Sequence, residues 1–386
     1  MLESFEYCIL GAGVLGSSAA YMLSRAGHSV AVLEQFELAH TKGSSHGESR
    51  IIRYSYDHPY YVQMSRRAYP LWREIMDESK EELLVTTGGI DLDEHDGKRI
   101  SDCIASLKAQ AVEHEVLDSA EISKRFPQFH LPAHTQGLYQ RDTGMLNATA
   151  SVKTLQKLAK KHGAVFYENT PVTGINYEGK HVQLTAAQKK IKAKKLILAA
   201  GGWMGPLLAG LGVQLDLKVS QEQYAFFKPK KPDEFRPGKF PIYIHYQGSG
   251  TAGIGWYGLP ISGREGIKSS VHKTGKIVSA QNRDFLVDEK LMTLLRELMQ
   301  TVLPDAAGEI IHTQTCLYTN SADTHFVVDY IPGHQNTVYF TGCSGHAFKF
   351  GPVLAEMMIA MLNQDSTLIP MDFFSAKRFS PFAHPR

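Results

Sequence analysis

The sequence has few cysteines, no long apolar run and no surplus of either charge, and each absence removes a class of protein. Four cysteines stand at positions 8, 103, 316 and 343 of 386 residues, with no C-x-x-C pair and no spacing suited to zinc. Each is read first as a small buried hydrophobe in a reducing, cytoplasmic setting, and no metal site is expected. No apolar run nears the ~18 residues that suggest a membrane-spanning helix, so no membrane is expected either. Lys+Arg 41 against Asp+Glu 39 leaves a formal +2, and no global field marks the chain for nucleic acid. The opening MLESFEYCIL carries acid where a leader would be basic, and the closing FAHPR matches no SKL-type ending. No targeting signal is expected from either.

What is present begins at residue 7. YCILGAGVLGSSAAYMLSRAGHSVAVLEQF reads as strand, glycine turn, helix, strand: Tyr7 to Leu10, then Gly11, Gly13 and Gly16, a helix to about Arg25, and Ser29 to Glu34. The first glycine makes the turn, the second lets backbone approach a pyrophosphate, and the third allows close helix-to-strand packing. Glu34 closes the second strand, where a carboxylate accepts hydrogen bonds from a ribose diol and disfavours a 2′-phosphate. The unit predicts a dinucleotide, FAD or NAD before NADP. No second G-x-G-x-x-G follows, so one dinucleotide is the economical reading.

Three later stretches suit the same ligand. AHTKGSSHGESRIIRYSYDHPYY supplies short hydroxyls and backbone N–H groups along a loop, followed by Arg50 and Arg53. KKLILAAGGWMGPLL (194–208) runs from an apolar strand into a glycine doublet, leaving room for a cofactor at the strand's carboxyl end. NTVYFTGCSGHAFKFGPVLAEMMIAML repeats that design with a strand Thr337 to Thr341, the glycine-rich stretch Gly342 to Gly345 with His346, and an apolar helix whose N-terminus can face developing negative charge. GAVFYENTPVTGINYEGKHVQLTAAQKKIKAKK alternates as a small antiparallel meander. Segments 1–85, 147–218 and 321–386 are therefore expected to form a cofactor domain. Segments 86–146 and 219–320, with aromatic-rich strands, are expected to form a second, antiparallel domain that roofs it.

Taken together, GAGVLG, GSSHGESRIIR, AAGGW, GIKSSVH, TCLYTNSADTHFVVD and GCSGHAFKF resemble the monomeric sarcosine oxidase family, which includes N-methyltryptophan oxidase and L-pipecolate oxidase, in order along nearly the whole chain. The resemblance implies an α/β fold, a glutathione-reductase-type FAD-binding domain interleaved with a substrate domain on a mixed or antiparallel β-sheet. It also implies a monomer that oxidises secondary amino acids with O2, giving an imine and hydrogen peroxide.

The resemblance also distributes roles. C-L-Y-T puts Cys316 where the family forms a thioether to the flavin ring. Arg53 and Lys349 fall where the family holds the substrate carboxylate, a task that calls for a planar guanidinium and a second charge. Tyr257, Tyr318 and His346 fall around the substrate. Lys268 falls at the family's oxygen-activating lysine, and an extended strand puts His272 on its face, four residues on. His46 and Arg50 fall beside the flavin. FAD is expected along Gly11, Gly13, Gly16, Glu34 and Gln35, past Ser44, Ser45, Arg50, Val172, Gly201 and Trp203, to Gly345 and Lys349. Ala347, where the family has glycine, is expected to add a methyl to the active-site wall. Two other readings stay open: an FAD-dependent dehydrogenase that passes electrons to a quinone or protein, and a flavin-binding protein without turnover.

Overall fold

The computed structural model describes residues 2–95, 97–186, 189–247 and 254–379. Five mutually parallel strands carry the first half of the molecule, ordered Val165–Tyr167, Val30–Leu33, Leu2–Leu10, Lys189–Leu198 and His334–Thr341. Leu2–Leu10 pairs with a strand on each side, so Cys8 sits between Ala31 and Leu196 and is fully buried. Such a strand is apolar on both faces, as its last residues are. The long strand Lys189–Leu198 changes neighbour midway. Its first half pairs with His181–Ala186, which pairs in turn with Val172–Glu178, and its last three residues pair with His334–Thr341. Val165–Tyr167, expected in the meander, lies instead parallel to Val30–Leu33 at the far edge. A three-residue strand is too short for alternation to reveal which sheet it joins.

The helices Val14–Arg25, Ala148–Lys161 and Gly351–Asn363 pack together on this sheet, and their buried faces join Trp72 and the helix Pro59–Ser79 in one core. Ala20, Leu155 and Leu354 are almost wholly buried in it.

The second sheet has nine strands, with Lys218–Phe227 at its functional end, flanked by Ile310–Asn320 on one side and by Ile267–Val271 and Lys276–Ile277 on the other. Beyond Ile267–Val271 come Ile254–Leu259, Ile242–Gln247, Gly89–Asp93, Gln136–Gln140 and Glu115–Leu117. All its pairs are antiparallel except that between Ile242–Gln247 and Gly89–Asp93. The helix Glu289–Val302 covers one face through Leu295 and Met299, against Phe227, Tyr243 and Trp256. A small sheet of Arg50–Ile52, Gly144–Leu146 and Leu84–Thr86 takes strands from both expected domains. Among the described residues no helix is long and apolar enough to cross a membrane.

Candidate active site

Two cavities meet where the parallel sheet faces the antiparallel one. The larger, about 440 Å³, runs from the glycine turn to the loop 343–348; the smaller, about 140 Å³, lies under the antiparallel sheet. Arg50, Cys316, Tyr318, Gly345 and Phe348 line both.

Backbone shapes the larger cavity. Gly11 has φ +102°, and a Cβ there would stand 2.5 Å from the carbonyl oxygen of Ala199. A Cβ on Gly16 would strike the Gly11 carbonyl oxygen and come within 3.2 Å of Ile9 Cγ2, so this glycine sets the approach of helix to strand. Ser45 Oγ accepts a hydrogen bond from the Val14 N–H at 3.1 Å, at the first turn of the helix. Glu34 is 6% exposed; its carboxylate accepts from the Ala12 N–H at 2.9 Å and the Phe36 N–H at 3.1 Å. Burial pushes the Glu34 pKa up, but His40 and these backbone donors outweigh it and hold the carboxyl below its ordinary value. Gln35, Ser44, Val172, Gly201 and Trp203 also line this cavity. Its volume lies within the few hundred to about 1,000 Å³ usual for ligand pockets. A side-chain-free turn, a helix N-terminus and a buried carboxylate fit a dinucleotide's pyrophosphate and ribose, so the residues fit FAD.

Cations shape the smaller cavity. Arg53 donates through Nη1 to Asp91 Oδ1 at 2.8 Å, Asp91 Oδ2 at 3.1 Å and Ser55 Oγ at 2.9 Å. Its other nitrogens make no hydrogen bond among the described residues. Lys349 Nζ donates to the Tyr56 hydroxyl at 2.7 Å and to the His346 carbonyl at 2.8 Å. Burial, with Arg53 nearby, pushes the Lys349 amine well below its ordinary range. Lys268 Nζ donates to the Ser49 carbonyl at 2.9 Å and lies 4.1 Å from the centre of the Tyr224 ring. Burial and then Arg50 push its amine down as well. Arg50 donates to the carbonyls of Ser49 at 2.9 Å and Ser44 at 3.0 Å, which ties the loop after the first βαβ unit to both cavities. Tyr257, Tyr318 and His346 also line it, and Gly345, at φ +81°, has no room for a Cβ beside the Tyr318 ring.

Cys316 is 8% exposed and stands in the wall between the cavities. A thioether formed by thiolate attack calls for a lowered thiol pKa. Arg50 and Lys268 do pull it down, but burial is the larger effect and the thiol stays above its ordinary value.

Other placements differ from expectation in ways that packing explains. His46 lines neither cavity; its ring contacts the Gly43 carbonyl at 3.1 Å and Gln314 at 3.2 Å behind the loop. Burial, with Arg50 and Arg283, pushes it down to about 3. His272 does line the small cavity beside Lys268, but burial first, then Lys273 and Arg53, push it to about 3, so it is a neutral ring and no second cation. Lys349 lines only the small cavity, and Ala347 only the large one. The added methyl thus faces the expected cofactor and not the substrate space. Asp91 and Tyr56 were missed. The signal for Asp91 was an acid within GIDLD, a strand buried along its whole length, where a charge needs a partner.

Fold and cavities together define a dinucleotide-dependent oxidoreductase. The chain belongs to the FAD dependent oxidoreductase family, whose model matches residues 6–361. Monomeric sarcosine oxidase of Streptomyces avermitilis is 31% identical over 98% of this chain and 99% of its own. N-methyl-L-tryptophan oxidase of Salmonella arizonae is 30% identical over 97% and 99%, and human peroxisomal sarcosine oxidase 30% over 92% and 91%. Among solved structures, NikD, an unusual amino acid oxidase of nikkomycin biosynthesis, superposes with a TM-score of 0.84 at 22% identity over 97% of each chain. L-proline dehydrogenase from P. horikoshii does so with 0.84 at 19% over 98% of each, which establishes the shared fold.

Proposed function

We propose that this FAD-dependent amine oxidase acts on secondary amino acids, N-methylated or cyclic, and returns the electrons to O2 as hydrogen peroxide. The observation that carries the reading is the pair of basic groups, the partly buried Arg53 and the buried Lys349, in a small cavity that shares a wall with the cofactor-sized one. A carboxylate entering there meets the free nitrogens of Arg53 and the Lys349 amine, a charge-assisted site that Asp91 compensates only on one side. Tyr257 and Tyr318 enclose the rest of the substrate, and the carboxylate clamp fixes which C–H bond faces the shared wall. When bound, FAD supplies the acceptor for the hydride equivalent lost from the carbon next to nitrogen. No side chain is assigned as a general base for that carbon. Lys268, a second buried amine lining the same cavity, is assigned to favour an oxygen anion.

Cys316 carries the flavin as a thioether, supported by its place in the shared wall. The chain divides into a cofactor domain of 1–85, 147–218 and 321–386 and a substrate domain of 86–146 and 219–320, supported by membership of the two large sheets. It works as a cytoplasmic monomer. The test is a panel of sarcosine, pipecolate, N-methyltryptophan and proline given to pure protein in air, with peroxide detected. Peroxide formed stoichiometrically with amine consumed is expected. Anaerobic bleaching of the flavin without peroxide in air would transfer the chain to the acceptor-linked dehydrogenases.

A further inference from the structure

The strands Lys218–Phe227 and Ile310–Asn320 pair antiparallel with Glu222 directly opposite Cys316. Directly opposed residues share a face of the sheet, with Cβ atoms about 5 Å apart. That face is the one turned to the cavities: Tyr318 opposes Ser220, Gln314 opposes Tyr224, and Tyr318, Cys316 and Tyr224 are cavity-lining. Glu222 therefore shares the cysteine's face of the sheet and is only 3% exposed. It is firmly oriented. Oε1 accepts from Ser220 Oγ at 2.5 Å, and Oε2 accepts from the backbone N–H groups of Thr274 at 3.2 Å and Gly275 at 3.1 Å. The turn lies flush on it, since a Cβ on Gly275 would come within 2.9 Å of Glu222 Cδ.

We propose that Glu222 takes the proton of the Cys316 thiol as the sulfur is joined to the flavin, an inference that rests on the thioether proposed above. The new S–C bond replaces an S–H bond and a C–H bond of the isoalloxazine. Both protons leave, the thiol's to Glu222, and the two electrons released reduce the ring until O2 removes them as hydrogen peroxide. The thiol needs such an acceptor because its burial disfavours the free thiolate. Glu222 suits it, for burial raises its own proton affinity while three hydrogen bonds preserve an ionised form able to receive the proton. Among the described residues, the charged and titratable groups facing the pair include Lys273 on the turn, Tyr318 on the opposed strand, and Arg50, Lys268, Arg283, Tyr224 and Tyr257 around the sulfur. Arg283 is an independent sign that negative charge belongs here. It is 7% exposed, its Nη2 donates to the Thr41 carbonyl at 3.2 Å, and its Nε and Nη1 find no partner among the described residues.

The test uses the full chain produced under flavin limitation, mixed with FAD, and sampled by acid precipitation for colour that stays on the polypeptide. Non-covalent FAD binding is followed in parallel by flavin fluorescence. Wild type is expected to retain colour with time, at a rate that rises as Glu222 ionises. Glu222→Gln, which keeps an acceptor oxygen for the turn, is expected to bind FAD alike but attach it at least tenfold more slowly, with a flat pH profile in that range. Equal attachment rates in wild type and Glu222→Gln overturn the role of Glu222 alone. Colour lost entirely from wild type overturns the thioether and this inference with it. If Glu222→Gln cannot bind FAD, Glu222→Asp carries the test: one methylene shorter, it must slow attachment, and a wild-type rate overturns the proposal.

Discussion

The two cavities are built by opposite means. The larger is made by leaving side chains out: Gly11, Gly13, Gly201 and Gly345 bring backbone to its surface, and Glu34 is spent partly on holding the turn. The smaller is made by putting costly side chains in, with Lys268 and Lys349 buried and Arg53 partly buried beside its ion-pair partner Asp91. A cofactor retained through many turnovers suits a surface fixed by backbone. A substrate that must bind and leave suits charges whose balance changes on its arrival. The comparison makes a prediction that splits the molecule: glycine variants should lose cofactor, whereas cation variants should keep the cofactor and lose chemistry.

The largest effect is expected at Gly16. Gly16→Ala drives a methyl into the Gly11 carbonyl, so the turn must shift, and overpacking of this kind costs about 1–3 kcal/mol. Purified Gly16→Ala should carry little FAD, read as flavin absorbance per polypeptide. Full flavin content would break the claim that close helix approach shapes the larger cavity.

Next comes Lys268. Electron transfer to O2 creates an anion, and a buried ammonium stabilises that state far more than neutral O2. Lys268→Met keeps volume and removes the charge, and should slow the O2 half-reaction at least about 10²-fold, the scale of losing one preorganised electrostatic contact. Anaerobic reduction by amine should fall much less. Stopped-flow traces of both halves decide it, and equal slowing in each would remove Lys268 from the oxygen step.

Much of this division was legible in the sequence, for a physical reason. The glycine turn is a local signal: three glycines, a helix and an acid lie within 24 residues, and backbone chemistry fixes their spacing. The smaller cavity is not local. Arg53 and Asp91 are 38 positions apart, and Tyr56 meets Lys349 across 293. Resemblance to a family supplied Arg53 and Lys349, but nothing in spacing could pair either with its partner. His46 and His272 show the same limit from another side. Residue type alone does not tell whether a histidine is charged, whereas burial, which only the fold determines, leaves both neutral at ordinary pH.

The third prediction separates the two carboxylate-binding cations. Arg53→Met and Lys349→Met should each weaken amino-acid binding about 30-fold or more, since truncating one partner of a buried charged contact costs about 2 kcal/mol or more. An uncharged amine should bind nearly as before, and flavin content should hold. Arg53→Met should also lower Tm, because it strands Asp91 without its partner, while Lys349→Met should not do so to the same degree. Equal loss of affinity for charged and uncharged ligands would mean a general defect in the cavity.

The smallest effect is a pH slope, and it tests whether Lys349 is charged on demand. Its amine is held well below the ordinary lysine range by burial and by Arg53, so the free protein loses this proton at a lower pH than an exposed lysine would. A bound carboxylate favours the ammonium form, hence binding should draw a proton in. The sign follows directly: affinity for a simple carboxylate such as acetate should fall as pH rises past the depressed pKa, by at most tenfold per pH unit for one proton. Arg53 remains charged throughout, and His272, pushed to about 3, together with His346, pushed well below its ordinary value, contributes no slope near neutrality. Lys268 is also depressed, so Lys268→Met serves as the control that should retain the slope. Calorimetric titrations in two buffers of different ionisation heat measure the proton taken up. Proton uptake that vanishes in Lys349→Met but survives in Lys268→Met assigns the switchable charge to Lys349, while uptake unchanged in Lys349→Met removes it from that role.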